Sequence, residues 1–415
     1  MKIGEFADQF HISQENVRYY MKLGLLLPRK RNAKYDFGED ECRDLKQILK
    51  MKQEQFSLEE IRRFLEIRRV SIMVEPESLL EATELLEVKR TELELQIQRL
   101  QEACRGITED IRELSSPGSG CERIGVPLAA LELLACPHCR RELELSSAVL
   151  SSRYVFEGAL SCKCGYHARI ENGIVKTGNL YTGAYDSPDL RRGLYRNIYK
   201  SYTSYTEKCN NWMLESLQKE ELSGKVVLEG HINGYFFLYR NFHKLPKDCL
   251  YIVVDKFPEM LEMYKQNLEK MDLGRNILFL ADASMELPLK ERCVDVLVNC
   301  YGDLEHSLYF KSFYLHDLKP FLKQDANIYG ISFGYHKAAK SLALMDKKYP
   351  EGDKKGICWD CIEELYVANG YHYKRELLFT MKHTEKQYGF ECHVDGEEIM
   401  LGCFRAIPFM RKGAG

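Results

Sequence analysis

Residues 224–237 read "GKVVLEGHINGYFF", an apolar run that closes on an acid, Glu229, and breaks at once into glycines. An uninterrupted run of β-branched and apolar residues predicts a strand buried on both faces, as in a parallel sheet. The following "GHINGYFFLYR" turns and opens a helix. The pattern then repeats: "LYIVVD" closes on Asp255, 26 positions after Glu229, and the helical "FPEMLEMYKQNLEK" follows it. "NILFLADASMELPL" closes on Asp282 and Ala283, and "CVDVLVNCYGDLEH" supplies a fourth strand that ends near Asn299. Strands alternating with helices predict an α/β domain with a largely parallel, doubly wound sheet. Ligands of such sheets sit at the carboxyl ends of the strands, which makes Glu229, Gly230, Gly234, Asp255, Asp282, Ala283 and Asn299 the candidate ligand-facing positions. An acid at the end of the second strand can accept both hydroxyls of a ribose.

Working back toward the N-terminus, "LLACPHCRRELEL" places Cys136 and Cys139 as C-x2-C, and "GALSCKCGYHARIENGIV" places Cys162 and Cys164 as C-x-C with Gly165 directly after. Four thiolates on two knuckles suit a tetrahedral zinc site, and the turn-rich stretch between them suits a ribbon too small to be held by a core alone. The second knuckle is one residue short of C-x2-C, which leaves His138 and His167 as substitute ligands. A third pair, Cys358 and Cys361 in "GICWDCIEEL", lies on one face of an amphipathic helix and reads as core. Fifteen cysteines, an odd number over 415 residues, fit reduced thiols and a metal site better than a secreted disulfide framework.

The first seventy residues have another texture. Ile3, Phe6, Ala7 and Phe10 fall at helical spacing, and Ser13 stands as an N-cap before a second helix through Val17, Tyr20 and Met21. Two short helices around a tight turn make a helix-turn-helix, whose second helix presents Gln14, Asn16, Arg18 and Tyr19, side chains able to reach base edges or phosphates. The basic, hairpin-like "PRKRNAKYDF" adds Arg29, Lys30, Arg31, Lys34 and Tyr35 as a wing. Residues 76–114 are one long charged helix in which Leu79, Leu86, Leu93, Leu100, Ile107 and Leu114 recur every seven positions, joined by Ile97, Cys104 and Ile111 on the same stripe. This is a coiled-coil seam and predicts a homodimer. Pro117, Gly118, Gly120 and Pro127 then end the helix and mark a linker over 115–130.

Charge follows the same division. The net charge is -3, which excludes a chain coated with basic residues, so nucleic-acid contact must be local. Met1–Val70 carries 15 Lys and Arg against 12 Asp and Glu, whereas Ser71–Ser115 carries 5 against 11. No window reaches the roughly eighteen apolar residues of a membrane span and no leader pattern opens the chain, so a soluble cytoplasmic protein without a membrane partner is expected.

The quoted motifs resemble known families. "IGEFADQFHISQENVRYYMKLGLL", "AKYDFGEDE" and "FSLEEIRRFL" are similar to the DNA-binding domain of MerR-type transcriptional regulators over residues 1 to about 70, with Arg18, Tyr19 and Tyr35 on the family's recognition-helix and wing positions and Met21 where the family has Glu. The resemblance implies a dimer, paired through the long helix, on double-stranded promoter DNA. It also implies distortion of that DNA under control of a small-molecule effector, with RNA polymerase as the partner. "CPHC" and "CGYHARIENGIV" resemble the zinc ribbons that precede certain methyltransferase domains. Residues 200 to about 406 resemble class I S-adenosylmethionine-dependent methyltransferases of Rossmann-like fold. That resemblance gives Glu229 the motif-I acid, Asp255 the ribose-binding position, and Asp282 and Ala283 the adenine-facing ones.

Two departures bear on activity. Aligning Gly230 and Gly234 with the outer glycines of the family's loop puts the branched Ile232 where the central glycine belongs, beside the bulky His231. Neither "NCYG" at 299–302 nor "LKPFLKQDANIYG" carries the family's Asn-Pro-Pro-aromatic or Pro-Gly-Gly signature, and no catalytic residue is identified. The expected organisation is therefore a winged helix-turn-helix over 1–70, a dimerisation helix over 76–114, a linker, a zinc-ribbon module over 131–178 and a methyltransferase-like domain over 179–415. The reading favoured is a regulator whose last domain senses S-adenosylmethionine, a related metabolite or a hydrophobic small molecule. Tyr181, Tyr185, Tyr195, Tyr199, Tyr202, Tyr205, Trp212, Tyr235 and Tyr301 are its candidate pocket aromatics. An active methyltransferase of a small molecule or RNA is the alternative, and a docking scaffold the third.

Overall fold

The computed structural model describes residues 1–31, 34–71, 77–115, 123–192, 200–271, 274–382 and 392–409. They form two compact units, Met1–Ser116 and Pro117–Gly415.

Unit 1 runs α1 (Ile3–Gln9), α2 (Gln14–Lys22), β1 (Arg29–Arg31), β2 (Lys34–Asp36), α3 (Glu39–Gln53), α4 (Leu58–Ser71) and α5 (Glu77–Ser115). Local rules set its boundaries. Ser13 Oγ accepts the Asn16 N–H at 3.1 Å and caps α2 as the sequence predicts, while Ser57 and Glu60 exchange hydrogen bonds across the start of α4. Phe6, Val17, Tyr20, Leu45, Ile48 and Leu65 close the core. Arg69 pins α4 to the turn after α2 through the Gly24 and Leu25 carbonyls and the Asp44 carboxylate. The start of α5 lies on α4, where Lys89 pairs with Glu60 at 3.0 Å and covers the ring of Phe56.

Unit 2 opens with β3 (Val126–Pro127), α6 (Leu128–Leu131), β4 (Glu144–Leu150), β5 (Tyr154–Ser161), β6 (His167–Glu171), β7 (Ile174–Lys176) and α7 (Lys200–Lys219). It continues through β8 (Val226–Gly230), α8 (Phe237–Asn241), β9 (Leu250–Asp255), α9 (Pro258–Met271), β10 (Asn276–Ala281), β11 (Val294–Cys300), α10 (Gly302–Tyr309) and α11 (Tyr314–Leu318). It ends with β12 (Leu322–Gly334), α12 (Lys340–Lys348), α13 (Ile362–Ala368), β13 (Tyr371–Lys382) and β14 (Glu398–Pro408). One sheet carries these strands in the order β13-β14-β12-β11-β8-β9-β10-β7-β6-β5-β3, with β4 paired to β5. The five strands β10, β9, β8, β11 and β12 are parallel, and β14 inserts antiparallel between β12 and β13. This is the doubly wound, Rossmann-like sheet expected from the sequence.

Alternate residues of the central strands face opposite layers. Val227, Tyr251, Val253, Ile277 and Phe279 join one core with α7, α8 and α9, while Leu228, Ile252, Val254, Leu278 and Leu280 join the other with α11 and α13. Burial on both faces is why the strands read as unbroken apolar runs. Two features differ from the linear reading. The cysteine-bearing strands are fused to the sheet, because β7 pairs parallel with β10 in the register Phe279↔Ile174. Val126 and Pro127, placed in a linker by sequence, pair with β5; Pro127 lies on a terminal strand, where its missing N–H costs no ladder bond. Pro117, Gly118 and Gly120 lie outside the described residues. Among those described, no helix is long and apolar enough to cross a membrane.

Candidate functional site

Three groups of residues were singled out in the sequence, and the structure places each. On α2, Val17 and Tyr20 turn into the core, so the 3.6-residue period sends Gln14, Asn16, Arg18 and Tyr19 to the surface. β1 and β2 form the expected hairpin with Lys30 opposite Tyr35, and Arg29, Lys30, Lys34 and Tyr35 are exposed; the Arg31 side chain lies outside the described residues. Lys30 Nζ stands 5.2 Å from the centroid of the Tyr35 ring. An exposed helix face with amide, guanidinium and phenol groups, flanked by a basic hairpin, can contact both bases and phosphates.

The four cysteines converge. Cys136 Sγ lies 3.3 Å from Cys164 Sγ and Cys139 Sγ 3.4 Å from Cys162 Sγ, and all four sulfurs fall within 4.8 Å of one another. Zinc–sulfur bonds of about 2.3 Å require sulfurs about 3.8 Å apart, so the set fits a tetrahedral Zn2+. The short second knuckle closes through Gly165, whose φ of +97° lets its N–H donate to the Cys162 carbonyl at 2.9 Å. Neither histidine is part of the cluster: His138 packs edge-on against Tyr166 and His167 is exposed on β6. A backbone hydrogen bond from Arg141 and the neighbouring Cys162 sulfur lower the pKa of the Cys139 thiol while that of Cys162 is raised, so within this pair one thiol gives up its proton before the other. The third pair stays in the core layer, but both cysteines precede α13 instead of lying on a face of it: Cys358 is buried, Cys361 half-buried, and their sulfurs touch at 2.6 Å.

At the carboxyl ends of the central strands lies the cleft. Strand order reverses between β8 and β11, the switch point where doubly wound sheets take ligands. Glu229 on β8 is fully buried and accepts the N–H groups of Phe237 and Leu238, each at 2.8 Å, which fixes the first turn of α8. Burial pushes its carboxyl up to about 8 against those two hydrogen bonds. Asp255, at the end of β9, accepts from Asn233 N–H at 2.8 Å and Phe257 N–H at 2.9 Å. Asn299 on β11 donates to the Tyr366 hydroxyl and accepts the Asp303 N–H in the first turn of α10, so its side chain is already engaged within the protein.

The loop of residues 230–236 is packed solid. A Cβ at Gly230 would stand 2.6 Å from the Tyr314 hydroxyl, and one at Gly234 would overlap the Glu305 carboxylate. Ile232 is completely buried in the α8–α9 core, and the left-handed residue is His231, with φ of 58°. The conformational freedom that glycine would give therefore falls on a histidine, which costs strain. Its ring is held: His231 Nε2 lies 3.0 Å from His306 Nδ1, and His306 Nε2 lies 3.1 Å from Asp317. Burial lowers both imidazoles, so this relay is neutral at its two rings.

Sequence reasoning missed what covers the cleft. Residues 177–192 run across the carboxyl ends of β10 and β9. Thr177 Oγ1 and Asn179 Nδ2 donate to Asp282 Oδ2, and Ala283 N–H donates to the Asn179 carbonyl at 2.7 Å. Arg192 donates to the carbonyls of Asn233 and Gly234. Lys256, the residue after Asp255, pairs with Asp186 at 2.6 Å, with Tyr181 and Tyr309 against its ammonium. The other aromatics divide. Tyr235 meets Tyr301 edge-on beside the loop and Tyr185 is exposed. Tyr205 and Trp212 pack against Phe379 and Tyr329 on the far strands, while Tyr202 meets Phe333 edge-on near the carboxyl end of β12, on the side of Tyr301. Tyr195 and Tyr199 lie outside the described residues.

Comparisons with known proteins follow the two units. Residues 1–66 match the model of the MerR HTH family regulatory proteins. A putative MerR family transcriptional regulator from Listeria monocytogenes is 26% identical over 28% of this chain and 86% of its own, with a TM-score of 0.24. Phosphoethanolamine N-methyltransferase 2 from Haemonchus contortus, solved with phosphomonomethylethanolamine and S-adenosylhomocysteine, is 11% identical over 53% of this chain, with a TM-score of 0.38. The chain spans 59% of that methyltransferase's length. Geranyl diphosphate C-methyltransferase from Streptomyces coelicolor is 10% identical over 56% of this chain and 90% of its own, with a TM-score of 0.37. Among curated proteins, none matches. Residues 1–66 thus match the MerR-type helix-turn-helix family, and they are joined in one chain to a doubly wound, Rossmann-like unit.

Proposed function

We propose that this protein is a dimeric transcriptional regulator that binds double-stranded promoter DNA and adjusts its distortion, at RNA polymerase, to a ligand sensed by the methyltransferase-like unit. The ligand is S-adenosylmethionine, a related metabolite or a hydrophobic small molecule. The observation that carries the DNA-binding reading is the family match over residues 1–66, together with exposure of Gln14, Asn16, Arg18 and Tyr19 on α2. A structural Zn2+ on Cys136, Cys139, Cys162 and Cys164 and a cytoplasmic setting complete the reading. Promoter distortion has a sequence-dependent cost, so a sensor that favours one DNA shape can set transcription without new base contacts.

Sensing is favoured over turnover by the cleft itself. Glu229 is tied to the α8 amides, the loop is filled by Ile232 and His231, and Asp282 and Ala283 are bonded to residues 177–179. The alternative, a methyltransferase acting on a small molecule or RNA, is favoured by one observation: Glu229, Asp255 and Asp282 stand at the ends of three adjacent strands, where a cofactor of this fold binds. Mobility-shift titration of the full chain on its own promoter region tests the first reading. Arg18→Ala is expected to weaken specific binding by roughly ten- to a hundredfold, the value of one good base or charged contact. Unchanged affinity would overturn the assignment of α2. Methyl transfer to any acceptor from labelled S-adenosylmethionine would establish the alternative.

A further inference from the structure

We propose that residues 177–192 are an internal occupant of the nucleoside half of the cleft, so that release of this strap and entry of an adenine nucleoside ligand are a single equilibrium. The inference rests on the proposed reading of Asp255 as ribose-facing and of Asp282 and Ala283 as adenine-facing.

The argument is a count of donors and acceptors. A backbone N–H donates one good hydrogen bond, and that of Ala283 is given to the Asn179 carbonyl at 2.7 Å. The carboxylate of Asp282 has about four lone-pair positions. Oδ2 takes Thr177 Oγ1 at 2.6 Å and Asn179 Nδ2 at 3.2 Å, and Oδ1 takes Ser284 N–H at 2.8 Å and Ser284 Oγ at 3.0 Å. Nothing remains for a purine edge while Asn179 stays in place. The rest of the strap is tied to the same cleft. The Asp189 N–H donates to Asn233 Oδ1 at 3.0 Å, and Arg192 reaches the Asn233 and Gly234 carbonyls at 2.7 and 2.9 Å. Asp186 holds the buried Lys256 beside Asp255, and Tyr181 lends a ring face to that ammonium, 4.5 Å from its centroid. One stretch of sixteen residues thus touches the loop, the residue after the ribose-facing acid and both adenine-facing groups, so a nucleoside cannot be read at Asp282 and Ala283 without displacing it.

A ligand that binds only the released form has its affinity reduced by the released fraction. Loosening the strap must then tighten binding. The test is calorimetric titration of S-adenosylhomocysteine into the full chain and into the double variant Asn179→Gly, Arg192→Ala, with amide hydrogen exchange of the wild type in parallel. The expected result is a dissociation constant about tenfold or more lower in the variant. In the wild type, the Ala283 amide should be protected without ligand and the amides of residues 177–192 should exchange faster once S-adenosylhomocysteine is bound. Wild-type binding with unchanged exchange in the strap, or equal or weaker binding by the folded variant, overturns the competition while leaving the nucleoside site intact. Failure of both proteins to bind S-adenosylhomocysteine overturns the nucleoside reading and the competition with it.

Discussion

Single residues in the cleft hold an unusual store of protons. Burial raises Glu229 to about 8, Asp303 and Glu305 to about 7 and Asp255 to about 6, from ordinary values of 4.5 for Glu and 3.8 for Asp. The sign of the consequence follows from linkage. Between pH 4.5 and 8 the folded chain keeps protons that the unfolded chain gives up, so the stability they confer is complete below about pH 4 and is lost as pH rises through 6 to 8. The melting temperature of Pro117–Gly415 is expected to fall from pH 5.5 to pH 8.5. Glu305→Gln, a substitution at a half-buried side chain beside Lys256 and Asp186, should flatten that fall. We expect its melting temperature to exceed wild type by roughly 2–4 °C at pH 8.5 and to match it within about 1 °C at pH 5, by calorimetry across the range. A parallel displacement of the whole curve would refute the titration of Glu305. The residue scale is also where sequence reasoning was sharpest about what is present and weakest about what it does. The acids at strand ends were legible because an apolar run closes on each. Their hydrogen bonds were not, since Asn179 meets Ala283 and His231 meets His306 only through the fold.

Among the elements, α5 shows how one helix divides its apolar residues. Leu85 and Lys89 lie against the helix's own domain, whereas Leu86, Ile97, Leu100 and Ile107 are exposed, with Leu93 half-buried between them. Leu79, Ile111 and Leu114 of the predicted seam have side chains outside the described residues. At 39 residues and about 1.5 Å per residue the helix is about 58 Å long, and Leu86, Leu93, Leu100 and Ile107 repeat every seven residues along it, with Leu80, Val88 and Leu95 exposed off that seam. A polar face would need no such period. Leu100→Asp puts a charge in the middle of the seam and is expected to turn a dimer into a monomer in sedimentation velocity at low micromolar concentration, with specific DNA binding weakened by tenfold or more. A variant that still sediments as a dimer assigns self-association to another surface. The Ser13 cap and the leucine repeat were legible because each acts within a few residues, whereas the Ser57–Glu60 exchange emerged only with the structure. The brevity of α8 was not legible either, because its five residues end where Phe242 and Arg275 take over the packing, the Arg275 guanidinium bonding the Phe242 carbonyl from 33 positions away.

For the whole molecule, the cysteine cluster and the sheet are one object. β5, β6 and β7 carry the sheet from the cluster to β10, and only 13 positions separate Cys164 from Thr177, where the strap begins. One zinc ion per chain is expected by elemental analysis of the purified protein. Its removal by a strong chelator should lower the melting temperature of Pro117–Gly415 by more than about 5 °C, and Cys164→Ser should do the same without chelator. Metal-free protein of full stability would show that the four thiols are packing residues. The α/β class and the two units could be read from periodicity and from the break at Pro117, since both are patterns along the chain. That the ribbon adds strands to the α/β sheet could not, because "RIENGIV" is as apolar as either partner requires and nothing within it names β10.

The parallel pairing of β7 with β10 also sets an order of events during synthesis. Ile174 pairs opposite Phe279, a residue made 105 positions later. Until that residue has left the ribosome, β7 is an apolar edge without its neighbour, and such edges recruit other chains. The thiol cluster, complete once Cys164 has emerged, can be closed by metal well before then. An ion bound early would hold β5, β6 and β7 as a finished three-stranded meander while the rest of the sheet is still being made. On this account metal supply governs how much of the newly made chain escapes aggregation, and starvation for zinc would be felt first in yield and only afterwards in the stability of the molecules that succeed.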